Sequence, residues 1–257
     1  MPLLNNIKAI NHALDQEMGL DDSVVVYGED VGFEGGVFRA TVGLQEKYGK
    51  DRCFDTPLAE AGIVGSAVGM AVNGMKPVVE MQFTGFVLPA LNQILGHVAR
   101  FRNRTRGRYN LPMVIRMPYG GVVRALEHHS ERIEDIFAQT PGLKVVVPST
   151  PYDTKGLLIS AMRDPDPVIF FEPKRIYRAF KQEVPEEDYT LPIGKAKIVQ
   201  EGDDITVVTW GALVREAQKA IKELEDEGIS VELIDLRTIS PLDRETIIDS
   251  VQKTGRF

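Results

Sequence analysis

Cysteine is almost missing from this sequence. Cys53 stands alone, so no disulfide can form within the chain. That usage suits a reducing compartment: the cytoplasm of a prokaryote, or an organelle matrix. No apolar run approaches the roughly 18–20 residues that cross a bilayer. Met1 to Asn6 lacks the charged-then-apolar order of a secretory leader. Basic residues are not in excess, because the formal net charge is −7. A basic stripe for nucleic acid is therefore absent, and an anionic membrane surface would repel the chain. There is no Gly-x-Gly-x-x-Gly after a strand and no Gly-x4-Gly-Lys-[Ser/Thr], so a nucleotide held on its own phosphate loop is not expected. Without a Gly-x-Ser-x-Gly elbow, a hydrolase of that type is not expected either. Neither His-Glu-x-x-His nor Cys-x-x-Cys occurs, so zinc has no ligand frame.

What is present is a chain of 257 residues, 43% apolar and 26% charged. That is enough for one large or two ordinary domains with a sizeable core. Ile7, Ile10 and Leu14 recur at helical spacing, predicting an amphipathic helix over 5–18. Val24 to Tyr27 is a β-branched apolar run ending in Gly28, the mark of a buried strand. Residues 60–75 carry Gly62, Gly65 and Gly69 among apolar residues. Glycine costs a helix about 1 kcal/mol against alanine, so this helix is expected to pack closely on another backbone, in a subunit interface. A strand is expected at 78–83 and a long helix at 86–102. Strands at 113–117, 143–147 and 168–171 then alternate with helices. Ser149-Thr150-Pro151 reads as a hydroxyl cap followed by proline at the first helical position. Alternation of this kind predicts an α/β fold with a parallel sheet covered on both faces.

Residues 181–194 are polar and aperiodic, with two prolines, and read as a passage between domains. The division expected is a first domain over 1–185, a linker over 186–194 and a second domain from 195. The second has strands at 205–209 and 230–235, a helix over 212–227 that stops at Gly228, and a further helix from Asp243.

Few residues invite chemistry. His12 and His97 lie in expected helices without ligand-spaced neighbours and read as ordinary. His128-His129 sits in a loop after the glycine turn Gly120-Gly121, flanked by Glu127, Ser130 and Glu131. It is either a catalytic or substrate-binding pair or a solvated polar loop. Glu60, in Asp55-Thr-Pro-Leu-Ala-Glu60-Ala-Gly, begins the glycine-bearing helix. A carboxylate there is partly buried, the setting of an acid or base near neutral pH. The plainer reading is a carboxylate on the helix dipole, worth about 0.3–1 kcal/mol. Gly32 to Gly36 is a glycine-rich loop next to Glu29-Asp30, whose charge would repel a phosphate.

Several segments occur in one order: Gly28-Glu-Asp-Val-Gly32, Gly35-Gly-Val-Phe-Arg-Ala-Thr41, Asp55-Thr-Pro-Leu-Ala-Glu60 and Gly62-Ile-Val-Gly65. Further on come His129-Ser130, the run from Pro141 to Asp153, Lys155-Gly-Leu-Leu158 and Asp235-Leu-Arg-Thr238. Together they resemble the E1β subunits of thiamine-diphosphate-dependent 2-oxoacid dehydrogenases over essentially the whole length. The resemblance implies a transketolase-like pyrimidine-binding domain followed by a transketolase C-terminal-like domain. In the family that second domain continues past the position of Phe257, so only part of it is expected here. It also implies an α₂β₂ heterotetramer with an E1α subunit, and activity only in its company. Docking on the core of an E2 acyltransferase is implied as well. Thiamine diphosphate is shared between subunits, its diphosphate and Mg²⁺ held by a Gly-Asp-Gly…Asn-Asn motif on the α chain. No Gly-Asp-Gly occurs here.

On this resemblance Glu60 hydrogen-bonds N1′ of the aminopyrimidine. Leu58, Gln82 and Phe86 match positions around that ring. His129 matches the histidine of acyl transfer to the lipoyl group of E2. Backbone carbonyls of Leu111, Met113, Val114, Ala161, Asp164 and Asp166 match a potassium site. Asn92 stands where relatives often carry an acidic residue. Pro89 and the segment Phe171–Arg178 look like branched-chain members, although Phe86 is tyrosine in many of these. Branched-chain 2-oxoacids are therefore the expected substrates. Pyruvate or acetoin dehydrogenase E1β, or a non-catalytic assembly subunit, are the alternatives.

Overall fold

The computed structural model describes residues 1–125 and 127–257. The strands are β1 (Leu3–Leu4), β2 (Val24–Gly28), β3 (Cys53–Asp55), β4 (Lys76–Glu80), β5 (Val114–Tyr119), β6 (Lys144–Val146), β7 (Val168–Pro173), β8 (Gln182–Glu183), β9 (Lys197–Gln200), β10 (Ile205–Thr209), β11 (Val231–Asp235) and β12 (Thr238–Ser240). The α-helices are α1 (Asn6–Leu20), α2 (Leu44–Tyr48), α3 (Glu60–Val72), α4 (Leu91–Gln93), α5 (Phe101–Arg104), α6 (Glu134–Ala138), α7 (Pro151–Arg163), α8 (Leu213–Asp226) and α9 (Arg244–Thr254).

The main sheet has the order β12-β6-β7-β5-β4-β2-β3. All its pairings are parallel except that of β12 on β6. Every residue of β2, β5 and β7 is buried, as a strand covered on both faces requires. Alternate residues then serve two separate cores. Tyr27, Val79, Ile115, Met117, Ile169 and Phe171 pack with α3 and the 84–104 segment. Val24, Val26, Val78, Val114, Val168 and Phe170 pack with α1 and α7. Period-two alternation on neighbouring strands sorts the side chains this way.

The same alternation puts three charges inside. Glu80 on β4, Arg116 on β5 and Glu172 on β7 point to the α1/α7 face. Arg116 donates to Glu80 at 2.8 Å and to Glu172 at 2.6 Å, and it is fully buried. Tyr177 donates its hydroxyl to the other Glu172 oxygen at 2.6 Å. Burial pushes the Glu80 carboxyl upward, against the pull of the guanidinium.

The second domain is built on a smaller sheet, β10-β11-β9, with α8 against it. It is tied to the first at two of the recurring segments. Ser149 donates to Asp235, and Arg237 pairs with Asp153. β12 then crosses over to become an edge strand of the first domain's sheet. The polar passage between domains is pinned along α7. The buried Lys155 ammonium donates to the carbonyls of Pro185, Glu186 and Glu187.

The expected cap is present: Thr150 accepts from the Asp153 N–H, with Pro151 at the first position. Two expectations need correction. The long helix over 86–102 is broken into a 3₁₀ segment Thr84–Ala90, α4, a π segment Ile94–Val98 and α5. Pro89 has no N–H to continue an α-ladder, and the Ala99 N–H reaches back to Ile94, one residue too far. The strand expected to reach Phe83 stops at Glu80, freeing Gln82 and Phe83 for the sheet's end. Within this chain the glycines of α3 meet little, which leaves their faces open for the packing expected across a subunit interface. A Cβ on Gly65 would meet only Gln93 at van der Waals distance, and one on Gly69 would meet nothing within 4 Å.

Candidate functional site

The chain passes from β2 to β3 on one side and then crosses to β4 on the other. The carboxyl ends of β2 and β4 therefore flank the point where strand order reverses, where open α/β sheets bind their ligands. Gly28 ends β2 with its backbone against Glu80, since a Cβ there would lie 2.6 Å from the Glu80 carbonyl oxygen. Glu29 and Asp30 follow directly. Asp30 accepts from Gln82 Nε2 at 2.8 Å, which joins the ends of the two strands.

Glu60 opens α3 and is 8% exposed. Its predecessor, Ala59, supplies no side-chain cap. Among the described residues no donor reaches the Glu60 carboxylate. Glu29 faces it, 6% exposed, with a buried carboxylate oxygen that lacks a hydrogen-bond partner. Burial first, then the charges of Glu60 and Asp30, push the Glu29 carboxyl up to about 7. Two carboxylates that share a poorly solvated crevice and lack donors are suited to a ligand that brings N–H groups. Leu58, in the loop before α3, is 80% exposed beside them.

The Glu29 shift has a signed consequence. A carboxyl raised from 4.5 to about 7 penalises the fold above pH 7 and costs nothing below its unfolded value, where both states are protonated. Glu29→Gln is expected to raise unfolding stability at pH 8 by about 1–3 kcal/mol. The gain should fade toward pH 4.5, as urea unfolding at the two pH values would reveal. Equal gains at both would refute the assignment.

Beyond β4 the chain turns into the 3₁₀ segment, and the histidine loop lies across it. A Cβ on Gly85 would collide with the His128 carbonyl, so a glycine is what permits this approach. The His129 ring lies 4.4 Å from that of Phe83 and 5.0 Å from that of Phe86, centroid to centroid. Its Nδ1 is bonded to the Glu127 carbonyl, which can only accept. This contact requires an N–H at Nδ1, which leaves Nε2 without a partner among the described residues. Lys174, from the turn after β7, donates to the His129 carbonyl and sits 4.8 Å from the Phe83 ring centre. Burial lowers that ammonium to about 8.

The residues matched to the pyrimidine half and His129 are therefore all at one edge of the sheet. Phe86 and His129 are in contact. Glu60 joins through Glu29, and Gln82 through Asp30. The residues matched to a cation site lie at the opposite, amino edge, where β5 and β7 begin. There the Leu111 carbonyl accepts the Met113 N–H, that of Met113 accepts the Val168 N–H, and that of Ala161 accepts the Asp164 N–H. Lys144 holds the Asp164 carboxylate, and Arg102 holds that of Asp166. Any ion there would use second carbonyl lone pairs.

Sequence reading overlooked Glu29 and Lys174. Glu29 had a signal, a carboxylate directly after a wholly apolar strand. Lys174 had none.

The family profile described as "Transketolase, pyrimidine binding domain" matches residues 4–179. That described as "Transketolase, C-terminal domain" matches residues 194–257. "Pyruvate dehydrogenase E1 component subunit beta" of Acholeplasma laidlawii is 64% identical over 257 residues, covering 100% of this chain and 79% of that protein. The chain belongs to the pyruvate dehydrogenase E1 component subunit beta family. The protein of the same name from Mycoplasma genitalium is 56% identical, with 99% of this chain and 78% of that one covered. That from Bacillus subtilis is also 56% identical, with 100% and 79% covered. Among solved structures, "Split gene transketolase, inactive beta4 tetramer" superposes with a TM-score of 0.81 at 23% identity, covering 98% of this chain and 77% of that one. At that identity the likeness carries the fold alone.

The branched-chain preference finds no support among these E1β relatives. The segment that suggested it has other work: Phe171, Glu172 and Tyr177 are buried in the core and the Arg116 network, and Lys174 seats the histidine loop.

Proposed function

We propose that this chain is the β subunit of a pyruvate dehydrogenase E1 component, contributing the aminopyrimidine half of a thiamine-diphosphate site. The observation that carries this is the pair Glu29–Glu60 at the switch-point crevice, short of donors, with His129 at the same edge. The cofactor, when bound, supplies the electron sink for decarboxylation of a 2-oxoacid. Glu60 holds the proton exchanged at N1′ of the aminopyrimidine. Gln82, Leu58 and Phe86 would surround that ring. Glu29, its own carboxyl pushed up to about 7, stands beside Glu60 as a second group able to hold a proton at this crevice.

His129 is offered a later role. Its free Nε2 would serve as a proton donor or acceptor when an acyl group passes to the lipoyl arm of E2. The E1α subunit completes the site with the diphosphate and Mg²⁺ anchor, in an α₂β₂ tetramer that docks on an E2 core. Potassium at the carbonyls of Leu111, Met113, Val114, Ala161, Asp164 and Asp166 belongs to the same proposal.

The test is reconstitution with an α-type subunit carrying Gly-Asp-Gly…Asn-Asn, assayed with an artificial electron acceptor. Pyruvate should give a higher kcat/KM than 3-methyl-2-oxobutanoate or acetoin, and this chain alone should be inactive. Turnover by the isolated chain, or preference for the branched substrate, would overturn the reading. In the same system His129→Ala should keep decarboxylation largely intact. Lipoyl acylation should fall by about 10²-fold or more, the scale of a positioned acid–base group. An equal loss of both activities would remove the histidine from the transfer step.

A further inference from the structure

Apart from the Glu29–Glu60 crevice, a second crevice of about 430 Å³ opens between the two domains, within the size range of small-molecule sites. Its floor is Ser149, Asp153 and Asp235, all at least nine-tenths buried. Both carboxylates are already engaged by the protein. Asp153 takes Arg237 and the Thr150 hydroxyl, and Asp235 takes Ser149 and the Arg237 N–H. The rim is different. Lys181 comes from the first domain, and Lys197 and Arg215 come from the second. Among the described residues none of these three has a carboxylate within ion-pair distance. Three cations thus line the crevice against two carboxylates, one of which, Asp153, is already neutralised by Arg237, in a chain whose net charge is −7. Phe180, with the Arg215 guanidinium 4.5 Å from its ring centre, forms an apolar wall with Val199 and Val214. Gln182 accepts from the Tyr152 N–H, so its amide N–H groups remain to donate.

We infer that this crevice binds a small organic dianion, a phosphate monoester or a dicarboxylate, whose charge is held by Lys181, Lys197 and Arg215 and whose body lies on Phe180. Because its cations come from both domains, the ligand ties one to the other. None of its lining residues is among those assigned to the thiamine site, and its occupancy does not depend on that assignment.

The test is calorimetric titration of AMP and of succinate into this chain, alone and assembled with its α-type partner. One saturable site per chain is expected, and NaCl at matched ionic strength should not reproduce it. Whichever of the two binds identifies the source of the charge. Lys197→Gln with Arg215→Gln should weaken binding about tenfold or more, whereas Arg108→Gln, a distant exposed cation, should not. Trp210, the single tryptophan, packs at the domain junction. Its unchanged emission would certify that the double variant is folded. The inference fails if neither anion saturates below about 5 mM, near the weak end of specific affinity. It also fails if Arg108→Gln weakens binding equally, or if assembly with the α-type subunit abolishes it.

Discussion

Glu60→Gln is expected to slow every cofactor-dependent step of the assembled enzyme by about 10²- to 10⁴-fold. The amide can still hydrogen-bond a ring nitrogen, but it cannot share a proton with it. The loss should therefore appear in kcat with any 2-oxoacid and with any acceptor, artificial or lipoyl. It should also appear before substrate is chosen, as slowed exchange of the thiazolium C2 proton when the assembled complex is placed in deuterated water. Assembly and fold should survive. Glu60 opens α3 without a cap and, among the described residues, without a donor on its carboxylate, so its removal breaks no internal bond. Losing one of two facing carboxylates should also lower the Glu29 carboxyl, since the Glu60 charge helps to hold it up. The two effects separate a proton-handling Glu60 from one that merely sits on a helix dipole. Near-normal exchange and turnover in Glu60→Gln would end the assignment.

Much of both domains is legible in the sequence alone. The apolar run at Val24–Tyr27, the Thr150-Pro151 cap and the stop at Gly228 rest on local chemistry, and the structure has each in place. What could not be read depends on distant partners. β12 is only three residues long, and its strand conformation comes from pairing with β6, far back in the chain. The 86–102 helix failed because Pro89 has no N–H to continue an α-ladder, and because Gly85 just before it admits the histidine loop, a contact between residues some forty positions apart. Glu60 and His129 were found by resemblance more than by spacing. Bare residues left Glu60 divided between an acid–base role and a dipole role, and burial beside Glu29 is what favours the former. In the sequence Glu29 stands out only as a charge beside a glycine-rich loop, unfavourable to phosphate. Only the sheet order, which brings the ends of β2 and β4 together, reveals its neighbour.

The largest stability effect is expected at Arg116, which sequence reading passed over because it interrupts an otherwise apolar strand. Arg116→Met should destabilise the chain by about 3–5 kcal/mol, the usual result when one member of a buried ion network is removed. Methionine fills most of the volume, so the cost is electrostatic. Glu80 and Glu172 would be left facing each other in the α1/α7 core, with only the Tyr177 hydroxyl on one of them. The sign with pH follows from Glu80, whose carboxyl burial already pushes upward. Without the guanidinium it rises further, so the penalty should be greatest at alkaline pH and shrink as Glu80 takes up a proton. Adding Glu80→Gln and Glu172→Gln to Arg116→Met should recover most of the loss, because the charges rather than the packing set it. A cost below about 1 kcal/mol for the single variant, the value of an exposed pair, would mean that water or relaxation already compensates the network. Function should register the same change. Glu80 ends β4 just before Gln82 and Phe83, and Glu172 lies on β7 just before Lys174. The network thus fixes both strand ends that seat the His129 loop. Lipoyl acylation should accordingly suffer more than decarboxylation in Arg116→Met, and the triple variant should restore it along with stability.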